Sequence, residues 1–154
     1  MTPEELRDRI DSIKVWQRNK ERARHKPLLL LLTLGLFRNE HRKRIDYAGI
    51  EISLQNLLKK FGPSQKNTHP EYPFWRLQAD GIWAVVNREH YTQNKSGDVS
   101  RKQLIENGAQ AGFTDEILMI LNQHPTLIGE LAQHILDSHF PKNMHKDILL
   151  AVGL

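Results

Sequence analysis

An apolar run of ten residues, Leu28–Phe37, constrains the fold of this 154-residue chain more than any other feature. Only Thr33 and Gly35 interrupt it. A membrane-spanning helix needs about 20 apolar residues, so this run predicts a buried helix instead. Because the run is apolar on every face, the helix is expected at the centre of the core. Pro27 suits its first turn, where the fixed φ of proline favours a helix.

The segments on either side of this run show the patterns of other elements. Thr2 has the position of an N-cap, and the apolar spacing after it predicts a helix to about Arg18. Residues 44–47 predict a short strand, and Ile50–Phe61 predicts a helix that Gly62-Pro63-Ser64 ends. The first part of the chain is therefore expected to be mainly helical.

Two aromatic and β-branched segments, Phe74–Gln78 and Ile82–Val86, are joined by Ala79-Asp80-Gly81 and predict a β-hairpin. The resulting order of helix, helix, strand, helix, strand, strand is that of a winged helix. Further helices are expected after four start signals, namely Ser100, Thr114, Pro125 and Pro141. The sequence thus predicts an α+β, predominantly helical fold in a single domain spanning residues 1–154. Its N-terminal part would be winged-helix-like with a small β-hairpin sheet, packed by C-terminal helices.

The net charge of +4 is unevenly distributed along the chain. Residues 1–102 contain 20 Lys and Arg against 12 Asp and Glu, whereas residues 103–154 contain 2 against 6. Two basic clusters, at residues 14–26 and 38–44, flank the apolar run. A solvated helix face is the ordinary explanation for one such cluster, but two on a shared body favour a polyanion. Nucleic acid is favoured over a membrane surface, because no long amphipathic helix with aromatic anchors accompanies the charge.

The sequence contains no catalytic or metal-binding pattern. Cysteine is absent, which excludes a disulfide scaffold, a thiol nucleophile and a cysteine zinc cluster. His134, His139 and His145 lack the i, i+4 spacing that places two ligands on one helix face. We therefore expect no catalytic residue, no metal and no cofactor. The acidic start of the chain at residues 2–5 predicts that there is no signal peptide and that the protein is cytoplasmic.

Two segments are candidate binding elements. Residues 22–26 place cations directly before a helix N-terminus, an arrangement that binds phosphate through free N–H groups and the helix dipole. Tyr72 and Pro73 precede the first strand of the predicted hairpin, so this apolar pair is expected to be exposed. Ordinary alternatives stay open for both: a solvated stretch before a helix, and a core aromatic cluster at a strand start.

Three groups of motifs also resemble, in order, a known kind of DNA-binding domain. They are His25-Lys26-Pro27-Leu28-Leu29-Leu30-Leu31, then Tyr72-Pro73-Phe74-Trp75-Arg76-Leu77 with Asp80-Gly81-Ile82-Trp83, and then His139-Phe140-Pro141 with His145-Lys146-Asp147-Ile148-Leu149 and Val152-Gly153-Leu154. Together they look like the sulfur-binding domain that precedes the HNH nuclease in McrA-type restriction endonucleases, which recognise phosphorothioate-modified DNA. The likeness spans nearly the whole chain, and the catalytic HNH domain has no counterpart in it.

The resemblance implies roles for particular residues. Tyr72 and Pro73 would form the walls of a small apolar sulfur pocket, with Arg76 near its rim. The implied DNA-binding residues are Arg18, Arg24, His25, Lys26, Ser100 and Arg101. Loop side chains would read the neighbouring bases in the major groove, and the candidates are Asn67, Asn87 and Gln93.

The function implied by the resemblance is sequence- and modification-dependent binding of phosphorothioated double-stranded DNA. Such a chain would target a restriction nuclease without catalysing the cleavage itself. No membrane partner is expected, and a homodimer of the full-length protein stays open. Two other functions also stay open: a winged-helix regulator that binds unmodified DNA, and a small nuclease.

Overall fold

Helices make up most of the structure, a computed structural model that describes residues 1–15, 17–18, 21–62 and 68–154, with the backbone alone at residues 17, 18, 21 and 22. The helices in these ranges are α1 Pro3–Asp11, α2 His25–Glu40, α3 Tyr47–Phe61, α4 Glu71–Arg76, α5 Arg101–Glu106, α6 Asp115–Gln123, α7 Leu127–His139 and α8 His145–Val152. The strands are β1 Gln17–Arg18, β2 Glu21–Arg22, β3 Ile45–Asp46, β4 Trp83–Val85 and β5 Gln110–Phe113. β1 pairs with β2, and a separate antiparallel sheet has the order β3-β5-β4.

The apolar run forms the buried centre of α2. Every residue from Leu28 to Leu34 is at most 7% exposed, and α3, α4, α7 and α8 pack around the helix. Gly35 permits this packing, because a Cβ there would collide with the backbone carbonyl of Val152 in α8. The prediction of a buried central helix is therefore confirmed. Neither α2 nor any other helix in the described ranges has the length and hydropathy needed to span a membrane.

α1 begins as predicted but ends earlier. The Thr2 hydroxyl accepts a hydrogen bond from the Glu5 N–H at 3.1 Å, and the Glu5 carboxylate accepts one from the Thr2 N–H, which completes a capping box. The prediction of a helix to about Arg18 is wrong, because α1 ends well before that residue, which lies in β1. A tertiary contact opposes any continuation of the helix beyond this end: the Lys14 N–H donates to the Asp80 carboxylate at 2.8 Å instead of to a helical carbonyl.

The predicted hairpin at residues 74–86 is wrong. Its first segment lies in α4 and in the 3₁₀ turn Leu77–Asp80 that follows. Its second segment is a strand, β4, but that strand pairs with β5, where Trp83 lies opposite Phe113. A short aromatic segment is compatible with a buried helix as well as with a strand. Tertiary contacts decide between them, among them the Trp83 indole N–H, which donates to the Phe74 carbonyl at 2.9 Å.

The central strand of the sheet, β5, carries no strand signal in the sequence. It contains Ala111 and Gly112, and both residue types have low strand propensity. Gly112 allows the backbone at Lys43 to approach β5 closely, because a Cβ at residue 112 would collide with the Lys43 carbonyl. The strand is therefore stabilised by its partners β3 and β4 and not by local preference.

The C-terminal helices follow the predicted starts. The Ser100 hydroxyl caps α5 by accepting the Gln103 N–H at 3.3 Å, and α6, α7 and α8 begin shortly after their predicted start signals. The C-terminal helices pack on the N-terminal part, where Arg7 of α1 also forms an ion pair with Glu130 of α7 at 3.0 Å. An α+β, predominantly helical fold is thus confirmed, while the winged-helix description of the N-terminal part stays a prediction.

Candidate functional site

One cavity brings together five of the candidate binding residues. It has a volume of about 370 Å³ and lies where the segment before α2 meets α4, so we refer to it as the α2–α4 cavity. Its lining residues are Lys14, Val15, Ala23, His25, Lys26, Tyr72, Pro73 and Arg76. The three residues predicted for a sulfur pocket and two predicted for DNA binding therefore share one concave surface, although they are far apart along the chain.

The apolar wall of the cavity is formed by Tyr72 and Pro73 in the first turn of α4. The Tyr72 ring stacks on the His69 ring with 4.6 Å between centroids, and the Arg76 guanidinium lies 4.3 Å from the Tyr72 centroid. Tyr72 is half-buried and Pro73 is buried, so the expectation that both are exposed before a strand is wrong. Residue 73 lies instead in a first helical turn, where a missing N–H costs no hydrogen bond, and Pro73 still lines the cavity.

Lys26 is held in place by Asp80. Its Nζ donates to Asp80 Oδ2 at 2.7 Å and to the Lys14 carbonyl at 2.9 Å. The other Asp80 oxygen accepts the Lys14 N–H, and the Asp80 side chain is only 2% exposed. The Asp80 carboxylate therefore connects three parts of the chain that border the cavity: the backbone at Lys14, the start of α2 and the 3₁₀ turn after α4.

Arg76 is held in a similar way by Asp98. Its Nε and Nη2 donate to the two oxygens of the Asp98 carboxylate at 2.7 and 2.6 Å. These hydrogen bonds raise the pKa of Arg76 further above its usual range. Asp98 is 7% exposed on its side chain, whereas Arg76 is 48% exposed, so the pair lies at the rim with its negative end buried. Arg76 thus lies at the rim of the α2–α4 cavity, and its role beside a bound sulfur stays a prediction.

His25 lies in the first turn of α2 and is half-buried. Its pKa is below the ordinary histidine value, first because burial disfavours the charged ring, and then because Arg76 and His69 are nearby. A hydrogen bond with the backbone of Thr68 opposes this shift. At neutral pH the ring is therefore neutral and adds no positive charge to the free cavity.

Arg24 does not line the α2–α4 cavity. Its guanidinium donates to the Phe61 carbonyl at 2.8 Å and lies 5.3 Å from the centroid of the Phe140 ring. Arg24 is the N-cap of α2 and so lies directly before the helix, as predicted, and its assignment to DNA binding stays a prediction. The Arg24 side chain links the end of α3 to the segment after α7.

Arg101 lies at a second cavity of about 470 Å³, which also includes His69. Its Nε and Nη2 donate to the Glu51 carboxylate at 2.6 and 2.8 Å, and these bonds lower the pKa of Glu51. Tyr47 donates its hydroxyl to the same carboxylate at 2.7 Å. Because His69 stacks on Tyr72, the second cavity adjoins the first. Ser100 is exposed beside it.

The remaining predicted residues add nothing to the described lining of this cavity. The side chain of Arg18 and the whole of Asn67 lie outside the described residues. Asn87 and Gln93 are exposed, and neither lines the α2–α4 cavity. Across the described ranges, no three His, Asp or Glu side chains are grouped so as to hold a metal ion. The structure therefore concentrates the candidate site at the start of α2 and at α4.

Sequence reasoning did not identify every residue of the site. Val15 and Ala23 contribute apolar surface, although they are small residues within a basic cluster and carry no signal of their own. Asp80 belongs to the turn of the predicted hairpin, and Asp98 carries no signal for a partner. Each carboxylate reaches its partner across a large sequence separation, so the pairing follows only from the tertiary structure.

The chain is similar in sequence to one known family. A family model described as ScoMcrA-like, DNA sulfur-binding domain matches residues 3–154. A comparison with curated proteins found no match.

Solved structures share the fold over nearly the whole chain. The sulfur binding domain of ScoMcrA, complexed with phosphorothioated DNA, has a TM-score of 0.85 at 21% identity over 97% of this chain and 95% of that chain. The sulfur binding domain of SprMcrA, in a complex of the same kind, has a TM-score of 0.79 at 18% identity over 100% and 95%. The Type IV phosphorothioation-dependent restriction endonuclease ScoMcrA has a TM-score of 0.82 at 21% identity, and the match covers 97% of this chain and 32% of that one.

Proposed function

This chain belongs to the ScoMcrA-like family of DNA sulfur-binding domains, and on that premise we propose that it binds double-stranded DNA carrying a phosphorothioate linkage. Residues 1–154 would form one such domain, with the sulfur seated against Tyr72 and Pro73 in the α2–α4 cavity. The family is a binding module and not a catalytic one, so any cleavage would depend on a nuclease that the domain targets. Since the ligand is DNA, a cytoplasmic location is part of this proposal.

The observation that supports this function best is the mixed chemistry of the α2–α4 cavity. A phosphorothioate replaces one non-bridging oxygen of the backbone with sulfur, which is larger and accepts hydrogen bonds more weakly. The Tyr72 ring and Pro73, with Val15 and Ala23, offer the apolar surface that such an atom tolerates. An oxygen buried there without a partner would lose about 1–3 kcal/mol, and more if it carried charge.

Positive charge around the same cavity supplies attraction to the backbone. Lys14, Lys26 and Arg76 line it together with the apolar wall. Cations close to phosphates contribute salt-dependent affinity without regard to sequence. Because Lys26 and Arg76 are paired with carboxylates, this charge would attract any DNA only weakly, and the apolar wall would discriminate in favour of sulfur.

A gel-shift comparison of matched duplexes tests the proposed function directly. The two duplex pools have the same design. Randomised bases flank one central linkage, which is a phosphorothioate in one pool and a phosphate in the other. We expect the modified duplex to bind at least about tenfold more tightly, a difference of about 1.4 kcal/mol. Equal affinity for both would contradict the proposal and favour a regulator of unmodified DNA. Cleavage in the presence of Mg²⁺, Mn²⁺ or Zn²⁺ would favour a nuclease.

The pH dependence of binding is expected to report on His25. Its pKa is lowered in the free protein by burial and by Arg76 and His69, whereas a nearby DNA phosphate would favour the charged ring. Binding should therefore take up a proton, and lowering the pH from about 8 to about 6 should strengthen binding by about threefold or more.

A His25→Gln variant is the control, because it keeps a polar side chain that does not titrate. Its affinity should change less with pH than that of the wild type. The lowered pKa of His25 also makes folding stability depend on pH. The stability associated with the neutral ring is present above the unfolded pKa and is lost as the pH falls through the folded pKa. Thermal melts at each pH therefore accompany the measurement. An identical pH profile for both proteins would contradict the assignment of His25 to the DNA backbone.

A further inference from the structure

Two cations of the α2–α4 cavity are already paired with buried carboxylates. They are Lys26 at the start of α2 and Arg76 beside the Tyr72 ring. Lys26 Nζ is 2.7 Å from Asp80, and Arg76 donates twice to Asp98, at 2.7 and 2.6 Å. The carboxylates are 2% and 7% exposed, respectively. Removing a cation from such a pair would leave a buried charge without a partner, so both pairs are built into the site.

This pairing leaves the α2–α4 cavity with little uncompensated positive charge. Among the cations that line it, Lys14 is the one whose side chain has no carboxylate of the described residues within ion-pair distance. His25 is neutral at neutral pH, for the reasons given above. A surface that binds any phosphate tightly would instead present free guanidinium or ammonium groups.

We propose that Asp80 and Asp98 are specificity-determining residues, which occupy hydrogen-bond donors of Lys26 and Arg76 that would otherwise serve an unmodified phosphate oxygen. This inference rests on the proposed function. It assigns part of the rejection of ordinary DNA, beside that of the apolar wall, to two carboxylates that do not need to touch the sulfur.

The two cations have a limited number of N–H donors. The Lys26 ammonium has three N–H groups, and Asp80 and the Lys14 carbonyl accept two of them. The Arg76 guanidinium has five, of which two point to Asp98, while its carbon lies over the Tyr72 ring. An oxygen entering the cavity would have to compete with charged acceptors for these donors. Sulfur is a weaker acceptor, so it loses less by going without them.

Asp98→Asn and Asp80→Asn, tested separately, measure the contribution of each carboxylate. Each variant keeps an acceptor oxygen and the side-chain size, but weakens the hold on the cation. Glu130→Gln is the matched control, because it removes the same charge from an ion pair with Arg7 on α1 and α7, away from the cavity. Affinities for the matched phosphate and phosphorothioate duplexes are measured for each protein, with thermal melts to follow folding.

For each Asp variant we expect the affinity for the unmodified duplex to rise about tenfold, while the affinity for the modified duplex changes less than about threefold. The modified-to-unmodified ratio should therefore fall, and the control should keep the wild-type ratio. An Asp variant that retains the wild-type ratio would overturn the proposal for that carboxylate. A variant that no longer folds would assign the carboxylate to stability and would overturn it too. A wild-type protein that does not distinguish the two duplexes would instead reject the proposed function.

Discussion

Replacing Tyr72 with alanine is expected to abolish most of the preference for modified DNA. The Tyr72 ring forms one wall of the α2–α4 cavity. It stacks on the His69 ring and also contacts the Arg76 guanidinium. Without it the cavity opens to water, and an oxygen placed there is no longer deprived of hydrogen bonds. The lost discrimination of about 1–3 kcal/mol corresponds to about a 5- to 150-fold fall in the ratio of affinities. Gel shifts with the matched duplexes measure this ratio.

Three further variants define what the Tyr72 result means. Tyr72→Phe keeps the ring and should keep the preference, whereas Pro73→Ala removes the other wall and should reduce it. Tyr91→Ala is the matched control, because Tyr91 is half-buried against Trp75 and does not line the cavity. A Tyr72→Ala protein that keeps the wild-type ratio, or a Tyr91→Ala protein that loses it equally, would contradict the assignment of the apolar wall.

Lys26→Ala is expected to weaken binding to modified and unmodified DNA alike and to destabilise the fold. Lys26 is 13% exposed, and its loss leaves the buried Asp80 carboxylate without its cation. Breaking a buried pair in this way costs about 3–5 kcal/mol, so a clear fall in melting temperature should accompany the binding loss. The uncompensated negative charge would also repel the DNA backbone. The salt dependence of binding should decrease by about one phosphate contact.

A double-mutant cycle separates the two effects of Lys26. Lys26→Ala combined with Asp80→Asn removes both charges, so it should recover part of the melting temperature and the affinity lost to repulsion, but not the affinity that the Lys26 ammonium supplies. Lys142→Ala is the control, because it removes the same charge from an exposed position between α7 and α8. It should change neither the melting temperature nor the affinity for DNA much. A Lys26→Ala protein that melts like the wild type and loses only its preference for sulfur would contradict this account.

The binding residues were predictable in kind but not in arrangement. His25-Lys26 and Tyr72-Pro73 stand out as motifs, and the structure brings them to one cavity. Arg24 belongs to the same basic cluster, yet its side chain packs on Phe140, because a charge pattern does not say which way each side chain points. The carboxylates that pair with the cations carry no local signal, since their partners are distant in sequence.

The prediction of a β-hairpin at residues 74–86 is wrong for a physical reason. A short aromatic segment can bury its side chains as one turn of helix or as a strand, and its pattern does not separate the two. Phe74 is completely buried within α4, where its ring meets those of Tyr47 and Trp83 edge-on. The helix matters for the site, because it places Tyr72 and Arg76 four residues apart on one face.

By itself the sequence determined the features that depend on neighbours along the chain: the buried run Leu28–Phe37, the caps at Thr2 and Ser100, and the division of charge. Only the tertiary structure decided that β5 is the central strand, and that Asp80 joins Lys14 to Lys26 beside the apolar wall. Caps and helical periodicity are local and are stabilised within a few residues. A paired cavity instead depends on groups that meet only when the core has packed, and that packing is decided by the whole chain.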